Sequence, residues 1–400
     1  MRWLTAGESH GPALLGILDG MPSGVTLTTD MVRAALARRR LGHGRGARQK
    51  FERDEVTLSG GVRHGVTTGA PIGMTIANSE WPKWEVVMSA DPVAPEDLLI
   101  DAGTGDEREI ARNKRLTKPR PGHADLAGML AYDHTDARNV LERASARETA
   151  MRVGLGACAR AFLTQAAGIE IVSHVVAIGS VTSAAPCPRP ADAEALDASP
   201  VRCLDEETQR QMIAAIDDAR SSGDTIGGVA EVVAYGVPIG LGTHTQYDRR
   251  LDTRLAGALM SIPSVKAVEI GDGFAQSRTP GSRAHDEIVP GPDGLERTSN
   301  HAGGIEGGMS SGGPVRVRCA FKPISTVPHA LATVDLDTGE AARALHQRSD
   351  ACAVVPGAVV AEYQVALTLA AALLDHVGGY SLAQVSDNLE AYRARLGERS

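Results

Sequence analysis

The clearest helix signal in the chain is an alanine- and glycine-rich stretch that spans residues 150–167. Ser145 and Glu148 in front of it predict a capping box with Ser145 as the N-cap, and Gly168 predicts the end of the helix. The stretch contains GLGACA, which matches the dinucleotide-binding fingerprint, but these residues lie in mid-helix and not at a strand-to-helix turn. We therefore interpret them as a face used for close helix packing.

Strand patterns and further helices occur on both sides of this helix. The predicted strands are 3–6, 13–18, 56–59, 72–77, 169–178, 229–235, 265–270 and 315–321. The other predicted helices are 29–40, 206–221, 249–261 and 357–377. Residues 94–113 predict an exposed insertion, and residues 275–300 predict a long polar loop. Length alone allows two or three domains, or one large α/β or α+β domain.

The composition excludes several classes of protein. A net charge of −8 does not favour nucleic-acid binding by the surface as a whole. The five cysteines are widely spaced and include no C-x-x-C pair, which argues against a disulfide framework or a zinc site. No signal peptide is evident, and the most apolar segment, residues 358–374, is interrupted by Glu362 and Gln364 and is too short and too polar to span a bilayer. The sequence predicts a soluble, cytoplasmic protein.

The turn GESHG at residues 7–11 places an acid, a hydroxyl and an imidazole between two predicted strands. Glycines at both ends allow a sharp turn and a close approach to a ligand. Its histidine, His10, is the type of side chain that can give and take a proton near neutral pH. From these residues alone, an ordinary hairpin turn with a surface histidine is an equally good interpretation.

A basic island extends from residue 38 to residue 53 and contains a single acid, Glu52. Arginines beside glycine-rich backbone suit phosphate and carboxylate groups, because the guanidinium fork binds oxyanions at two points. A solvated basic helix end is the plain alternative. A nucleic-acid patch is a third, but no aromatic residue interleaves the arginines before Phe51. The pattern favours a small polyanionic ligand.

Three further segments are candidates for ligand binding. The rigid loop 117–125 presents Arg120 and His123, although such a histidine, taken alone, is more often structural. The N-terminus of helix 150–167, flanked by Arg143 and Arg147, is a place where an anion can bind. The glycine-rich stretch 301–313 could lie against a flat or phosphorylated ligand, with a disordered tip as the alternative.

Together these segments resemble the chorismate synthase family over nearly the whole chain. The resemblance rests on GESHG at 7–11, RASARET at 143–149, and RSD at 348–350 followed by Glu362; segments 117–125, 303–308 and 322–326 also fit. The family implies one large α+β domain over residues 1–400, a β-α-β sandwich with internal duplication. It also implies a homotetramer in which long loops fold over the active site.

The resemblance implies a lyase that converts 5-enolpyruvylshikimate 3-phosphate to chorismate and phosphate. This reaction is a 1,4-anti elimination that needs reduced FMN without net oxidation. The substrate carries two carboxylates and a phosphate, which would explain the many arginines. The implied substrate-binding residues are Ser9, Arg39, Arg45, Arg48, Arg120, Arg147 and Arg348. Arg39 and Arg45 also match positions assigned to NADPH, a possible source of reducing equivalents.

By the same resemblance, three residues have catalytic roles. His10 and His123 match two acids that act at the substrate phosphate and at the flavin ring, and Asp350 matches a group that helps flavin N5 take the C6 proton. The implied FMN contacts are Arg143, Ala144, Ser145, Pro263, Ser264, Gly307, Lys322, Pro323, Ile324, Ser325, Thr326 and Arg348. No metal site is expected.

The chain departs from the family pattern in two places. Glu142 stands where a glycine is expected, and the acidic insertion near residues 101–112 is longer than usual. Neither is expected to touch a catalytic group. With no additional domain and no credible nucleotide fingerprint, the chain is predicted to depend on a separate flavin reductase. The rival functions are an anion- or RNA-binding protein and a phosphoryl transferase, but the latter lacks a phosphate-loop lysine motif and an acidic metal pair.

Overall fold

The hairpin around residues 7–12 starts a four-stranded antiparallel sheet. The computed structural model describes residues 1–45, 54–98, 112–291, 294–344 and 350–397. The strands of this first sheet are β1 (Arg2–Ala6), β2 (Ala13–Asp19), β3 (Glu55–Leu58) and β4 (Ile72–Ala77), in the order β1-β2-β4-β3. Strand β2 alternates between the buried Leu14 and Leu18 and the exposed Leu15 and Ile17, so one sheet face lies on the core.

The second sheet has five antiparallel strands. They are β5 (Glu170–Ile178), β6 (Val181–Thr182), β7 (Gly228–Tyr235), β8 (Val265–Ile270) and β9 (Val315–Phe321), in the order β8-β9-β7-β5-β6. Strand β9 pairs with β7 from Val315 opposite Ala234 to Phe321 opposite Gly228. The predicted strands of both sheets are therefore present, with ends shifted by a residue or so.

The two longest helices fill the space between the two sheets. The longer helices are α1 (Thr29–Arg39), α2 (Thr149–Ala167), α3 (Glu206–Ser221), α4 (Leu251–Met260), α5 (Val354–Val377) and α6 (Leu382–Gly397). Helix α2 packs on β2 and β4 of the first sheet and on α5, while α5 packs on β5 and β7 of the second. The layers are thus sheet, helices and sheet, and this arrangement confirms the predicted α+β sandwich.

The small residues of α2 bring it close to its neighbours. A Cβ atom added to Gly156 would lie 2.5 Å from Cβ of Tyr363 in α5, and one added to Gly154 would lie 2.6 Å from Sδ of Met74 in β4. Both distances are too short for a side chain, so these glycines set the spacing of the layers. The interpretation of this segment as a close packing face is confirmed.

Helix α5 is the one helix of the described ranges that is long and apolar enough to cross a bilayer, and 83% of its most apolar stretch is buried inside the protein. The expectation that this segment is too short was wrong, because the helix begins at Val354 and has 24 residues. Its burial between the sheets marks it as a core helix.

The connections contain short elements that the sequence patterns did not predict. Short helical turns occur at Trp81–Lys83, Pro95–Leu98, Asp125–Ala131, Arg138–Leu141, Ala146–Glu148, Pro190–Asp192, Ala193–Ala198, Tyr247–Arg249, Gly273–Gln276 and Gly281–Ala284. Small hairpins pair Val62–Arg63 with Val66–Thr67, Ile288–Gly291 with Gly294–Arg297, Ile305–Glu306 with Met309–Ser310, and Ala332–Val334 with Ala341–Arg343. The predicted loop 275–300 is therefore partly regular. Most of the predicted insertion 94–113 lies outside the described residues.

Candidate active site

The turn between β1 and β2 rests against the segment that leads into α2. Gly7 has a φ of +97°, and a Cβ there would lie 2.4 Å from the carbonyl oxygen of Ala13, so only glycine fits this tight turn. The Ser9 N–H donates to the carbonyl oxygen of Glu142 at 3.0 Å. The His10 N–H donates to Glu142 Oε2 at 2.9 Å. Ser9 and His10 are thereby fixed to Glu142.

The imidazole of His10 is held by a carboxylate and an indole. Its Nδ1 lies 2.9 Å from both carboxylate oxygens of Glu142, and the Glu142 side chain is 1% exposed. The Trp84 ring stacks on the imidazole with centroids 3.7 Å apart. The guanidinium groups of Arg112 and Arg138 lie over the same indole. The expectation that Glu142 touches no catalytic group was wrong, and sequence patterns gave no signal for Trp84.

His123 is held in a similar way by a carboxylate two residues further along. Its Nδ1 lies 2.5 Å from Oδ1 of Asp125, a residue with no exposed surface. Arg120 donates from Nε to Asp125 at 2.8 Å and from Nη1 to Thr326 Oγ1 at 2.9 Å. Burial would raise the pKa of Asp125, but hydrogen bonds from His123 and Arg120 outweigh burial and hold that pKa far below its usual range. Asp125 is therefore an anion that orients both Arg120 and His123.

The loop that carries His123 contacts the segment 322–326. Gly122 has a φ of +76°, and a Cβ there would lie 3.5 Å from Cβ of Ser325 and 3.8 Å from Nζ of Lys322. The Lys322 N–H donates to the carbonyl oxygen of Ser264 at 2.9 Å, and Ser264 has a left-handed φ of 75°. Burial and the neighbouring Lys266 lower the pKa of Lys322. Two segments predicted to contact FMN, at residues 264 and 322–326, therefore meet here with the loop that carries His123.

The N-terminus of α2 is fixed by contacts of Ser145 and Glu148. Ser145 is the N-cap of a 3₁₀ turn, Ala146–Glu148, and its Oγ accepts from the Arg147 N–H, as the sequence predicts. The Glu148 side chain, however, accepts from Thr5 and from Arg152 at 2.9–3.0 Å. The predicted capping box is therefore replaced by a long-range contact of Glu148 with Thr5 and a contact with Arg152 one helical turn away.

Arginines of the predicted site bind protein atoms in this structure. Arg39 donates to Thr149 Oγ1 at 3.1 Å and to the Ala146 carbonyl at 3.0 Å. Arg147 donates to Asp54 at 2.5 Å, and Asp54 also lines an open cavity of about 550 Å³. Arg143 donates to the backbone oxygens of Gly7 and Thr5; Ala144 follows it in the chain. Arg143 therefore connects the first hairpin with the segment before α2, whereas Arg39 and Arg147 connect the start of α2 with α1 and with Asp54.

The basic island begins with inward-pointing residues. Arg38 forms a two-point contact with Glu362, at 2.7 and 3.0 Å, and a third contact with Asp197. Arg45 donates from Nη1 to Asp350 at 2.7 Å, and both side chains are largely buried. Buried arginines of this kind do not form a surface for a polynucleotide. Arg48 and Arg348 lie outside the described residues.

Asp350 is also connected to the segment 322–326. The next residue, Ala351, accepts from the Ile226 N–H at 2.9 Å. Thr225 in turn donates its hydroxyl to the carbonyl oxygen of Ile324 at 2.8 Å. Asp350, Arg45 and the loop that contacts His123 therefore belong to one connected set of segments.

The glycine-rich stretch has two kinds of glycine. A Cβ at Gly303 would lie 2.4 Å from the Gly271 nitrogen, and one at Gly304 would lie 2.4 Å from the Pro314 oxygen, so these two allow backbone segments to touch. Gly307, in contrast, has a φ of +57° with open space at its Cβ position. Of the three, Gly307 has the space to accommodate a ligand.

Two imidazoles held by buried carboxylates, next to buried arginines, form the kind of site with which enzymes bind small anionic molecules and move protons. Comparison with known proteins agrees with this class. A sequence model of the chorismate synthase family matches residues 1–374. Chorismate synthase of Thermobifida fusca is 59% identical over 394 residues, covering 98% of each chain. That of Streptomyces coelicolor is 60% identical over 400 residues, covering 100% of this chain and 99% of the relative.

A solved structure supports the same assignment. The crystal structure of a chorismate synthase superposes with a TM-score of 0.76 at 35% identity, covering 99% of this chain and 98% of that one. The chain belongs to the chorismate synthase family, whose members are lyases of the shikimate pathway (EC 4.2.3.5). It is thus an enzyme that forms chorismate, and thereby serves aromatic amino acid biosynthesis, by acting on a small molecule.

Proposed function

We propose that the enzyme converts 5-enolpyruvylshikimate 3-phosphate to chorismate and phosphate by a 1,4-anti elimination that depends on reduced FMN. The C6–H and C3–O bonds break, the ring double bond shifts, and the products are the diene and phosphate. The observation that carries the proposal is that His10 and His123 each place Nδ1 on a buried carboxylate, at 2.9 and 2.5 Å. Two such imidazoles suit a reaction with separate proton transfers.

The residues around Lys322 fit a flavin phosphate or an anionic flavin. In the described ranges, Lys322 forms no salt bridge, and the nearby Lys266 adds a second positive charge. A site with surplus positive charge favours an anionic ligand. The residues that would hold FMN are Arg143, Ala144, Ser145, Pro263, Ser264, Gly307, Lys322, Pro323, Ile324, Ser325, Thr326 and Arg348. Reduced FMN would supply an electron transiently to help expel phosphate.

The residues of the chain itself have three tasks. Ser9, Arg39, Arg45, Arg48, Arg120, Arg147 and Arg348 bind the two carboxylates and the phosphate. Arg120 can bind substrate although its Nη1 already donates to Thr326, because each Nη of a guanidinium carries two hydrogens. His10 donates a proton to the departing phosphate, His123 holds a proton beside the flavin ring, and Asp350 assists removal of the C6 proton.

We also propose the remaining features of the family for this chain. One domain would span residues 1–400 and assemble as a homotetramer in the cytoplasm. The exposed side chains of Leu4, Leu15 and Ile17 on the outer face of the first sheet support burial of that face in an assembly. A separate flavin reductase would supply reduced FMN, and NADPH would serve only as a source of reducing equivalents, with Arg39 and Arg45 as its candidate contacts.

The test is an anaerobic incubation of the enzyme with 5-enolpyruvylshikimate 3-phosphate and dithionite-reduced FMN. We expect phosphate release that requires reduced FMN and is absent with dithionite alone. Equal phosphate release without flavin, or no release at all, would overturn the proposal. Salt-sensitive binding of a polynucleotide without phosphate release would instead support the rival RNA-binding function.

A further inference from the structure

We infer that Glu142 is a positioning residue that fixes His10 as the Nδ1–H tautomer and thereby assigns proton transfer to Nε2. The inference rests on the proposed role of His10 as an acid. It adds the residue that decides which imidazole nitrogen meets the substrate. It concerns a position where the resemblance implies glycine, a residue that has no side chain to do this.

The first argument is the hydrogen-bonding capacity of the carboxylate. An ionised carboxylate only accepts hydrogen bonds. Glu142 lies 2.9 Å from His10 Nδ1 and 2.9 Å from the His10 backbone nitrogen, and Arg138 lies 3.8 Å from it. A carboxylate that accepts from the His10 backbone N–H and contacts Nδ1 needs a donor at Nδ1, so Nδ1 carries the hydrogen. The lone pair, or the transferable proton, is then at Nε2.

The second argument is the restraint on the imidazole ring. Trp84 stacks on one face of the ring, with centroids 3.7 Å and planes 23° apart. The His10 side chain is only 14% exposed. A ring flip that exchanged the two nitrogens would break the bond to Glu142 in this confined site. Contacts of this kind keep a catalytic group near its productive geometry.

The third argument concerns charge during the reaction. Before transfer, imidazolium and carboxylate form a buried ion pair. When the Nε2 proton moves to a phosphate oxygen as the C–O bond breaks, the ring becomes neutral and its Nδ1–H still donates to Glu142. Solvent then restores the proton to Nε2. Glu142 therefore accepts the same hydrogen bond from Nδ1 before and after the transfer, as an orienting carboxylate does in hydrolytic triads.

The experiment compares the wild-type enzyme with Glu142→Gln and Glu142→Gly. In protein labelled with ¹⁵N-histidine and without substrate or flavin, imidazole ¹⁵N shifts followed up to a pH at which the His10 ring is neutral report its tautomer, assigned with His10→Gln. We expect Nδ1–H in the wild type, and a mixed or reversed tautomer in both variants. In the reaction we expect kcat to fall at least about tenfold while KM changes less than about threefold.

Glu231→Gln is the matched control, because Glu231 is equally buried and accepts a hydrogen bond from His174 Nε2 at 2.9 Å outside the proposed site. We expect it to change the His174 signal and leave the His10 signal and kcat unchanged.

Nε2–H at His10 in the wild type, or an unchanged tautomer and kcat in folded Glu142→Gln, would overturn the inference. If Glu142→Gln does not fold, the wild-type tautomer still decides. Because the tautomer needs no substrate, inactivity of the wild type would count only against the proposed function.

Discussion

Arg45 and Asp350 lie 305 residues apart in the chain and form an ion pair of 2.7 Å. This pair joins a predicted substrate-binding arginine to the carboxylate proposed to assist removal of the C6 proton. The Arg45 side chain is 11% exposed and that of Asp350 is 17% exposed. We infer that Arg45 fixes the position of the Asp350 carboxylate.

Replacing Asp350 by Asn should therefore lower kcat without loss of the flavin site. The amide keeps the shape but cannot take a proton, and general acid–base groups contribute about 10²- to 10⁴-fold to rates. We expect kcat to fall by about that factor, with the Kd of FMN nearly unchanged. Steady-state assays under anaerobic conditions and flavin titration measure the two quantities. Asp217→Asn, which removes an exposed partner of His43, is the control, and an unchanged kcat in Asp350→Asn would remove Asp350 from the mechanism.

Replacing His10 by Ala should separate binding from turnover in the same way. The imidazole is proposed to protonate the departing phosphate, so the variant should bind FMN normally and lose about 10²-fold or more in kcat. His244→Ala changes an exposed histidine and should retain normal turnover. A His10→Ala enzyme with wild-type kcat would mean that another group supplies the proton.

Glu362 should make the fold sensitive to acid. Burial would raise its pKa, but Arg38 and Arg160 outweigh burial and lower the pKa to about 2. Because the folded pKa lies below the value of about 4.3 in unfolded chains, the stabilisation is complete above that pH and is lost as the pH falls towards 2. We expect Tm to fall steeply over this window.

The Glu362→Gln variant tests the source of that dependence. Leaving its arginine partners without a carboxylate should cost about 3–5 kcal/mol of unfolding free energy at neutral pH. It should also flatten the decline between about pH 4.3 and pH 2, since the titrating group is gone. Thermal unfolding across pH measures both effects. Glu390→Gln, an exposed change, is the control; equal behaviour of the two variants would rule out Glu362 as the source.

Gly156→Ala should show how tightly α2 packs on α5. The added Cβ would lie 2.5 Å from Cβ of Tyr363, so the helices must move apart, at a cost of about 1–3 kcal/mol. Gly257→Ala in α4 is the matched control, because its Cβ would meet no atom within 4 Å. There we expect a gain of about 1 kcal/mol from helix propensity. Equal stability changes in the two variants would contradict the packing explanation.

Local patterns were sufficient to predict the strands and the long helices. Alternating residues define β2 and β9, and small residues define the close face of α2. The partners of charged groups were not predictable in this way. Glu142 meets His10 across 132 residues, and Glu148 turns from its own N-cap to Thr5 across 143 residues. Only the fold decides which hydrogen-bond donor each of these carboxylates reaches.

Asp125 shows what nearby sequence can reveal about the site. It lies two residues from His123, and the pair forms within one rigid loop, so this contact could have been proposed from spacing. Trp84 offered no such signal, because the region around it has no regular pattern and its partner, His10, lies in a distant hairpin. Helix α6 was missed since only Val385 and Leu389 of it are fully buried.

The ratio of chorismate formed to phosphate released tests the central claim most directly. With substrate, reduced FMN and strict exclusion of oxygen, we predict one chorismate for each phosphate, no product with oxidised FMN, and reoxidation of less than one flavin per turnover. Phosphate released without chorismate, or flavin consumed in proportion to product, would contradict the proposed elimination.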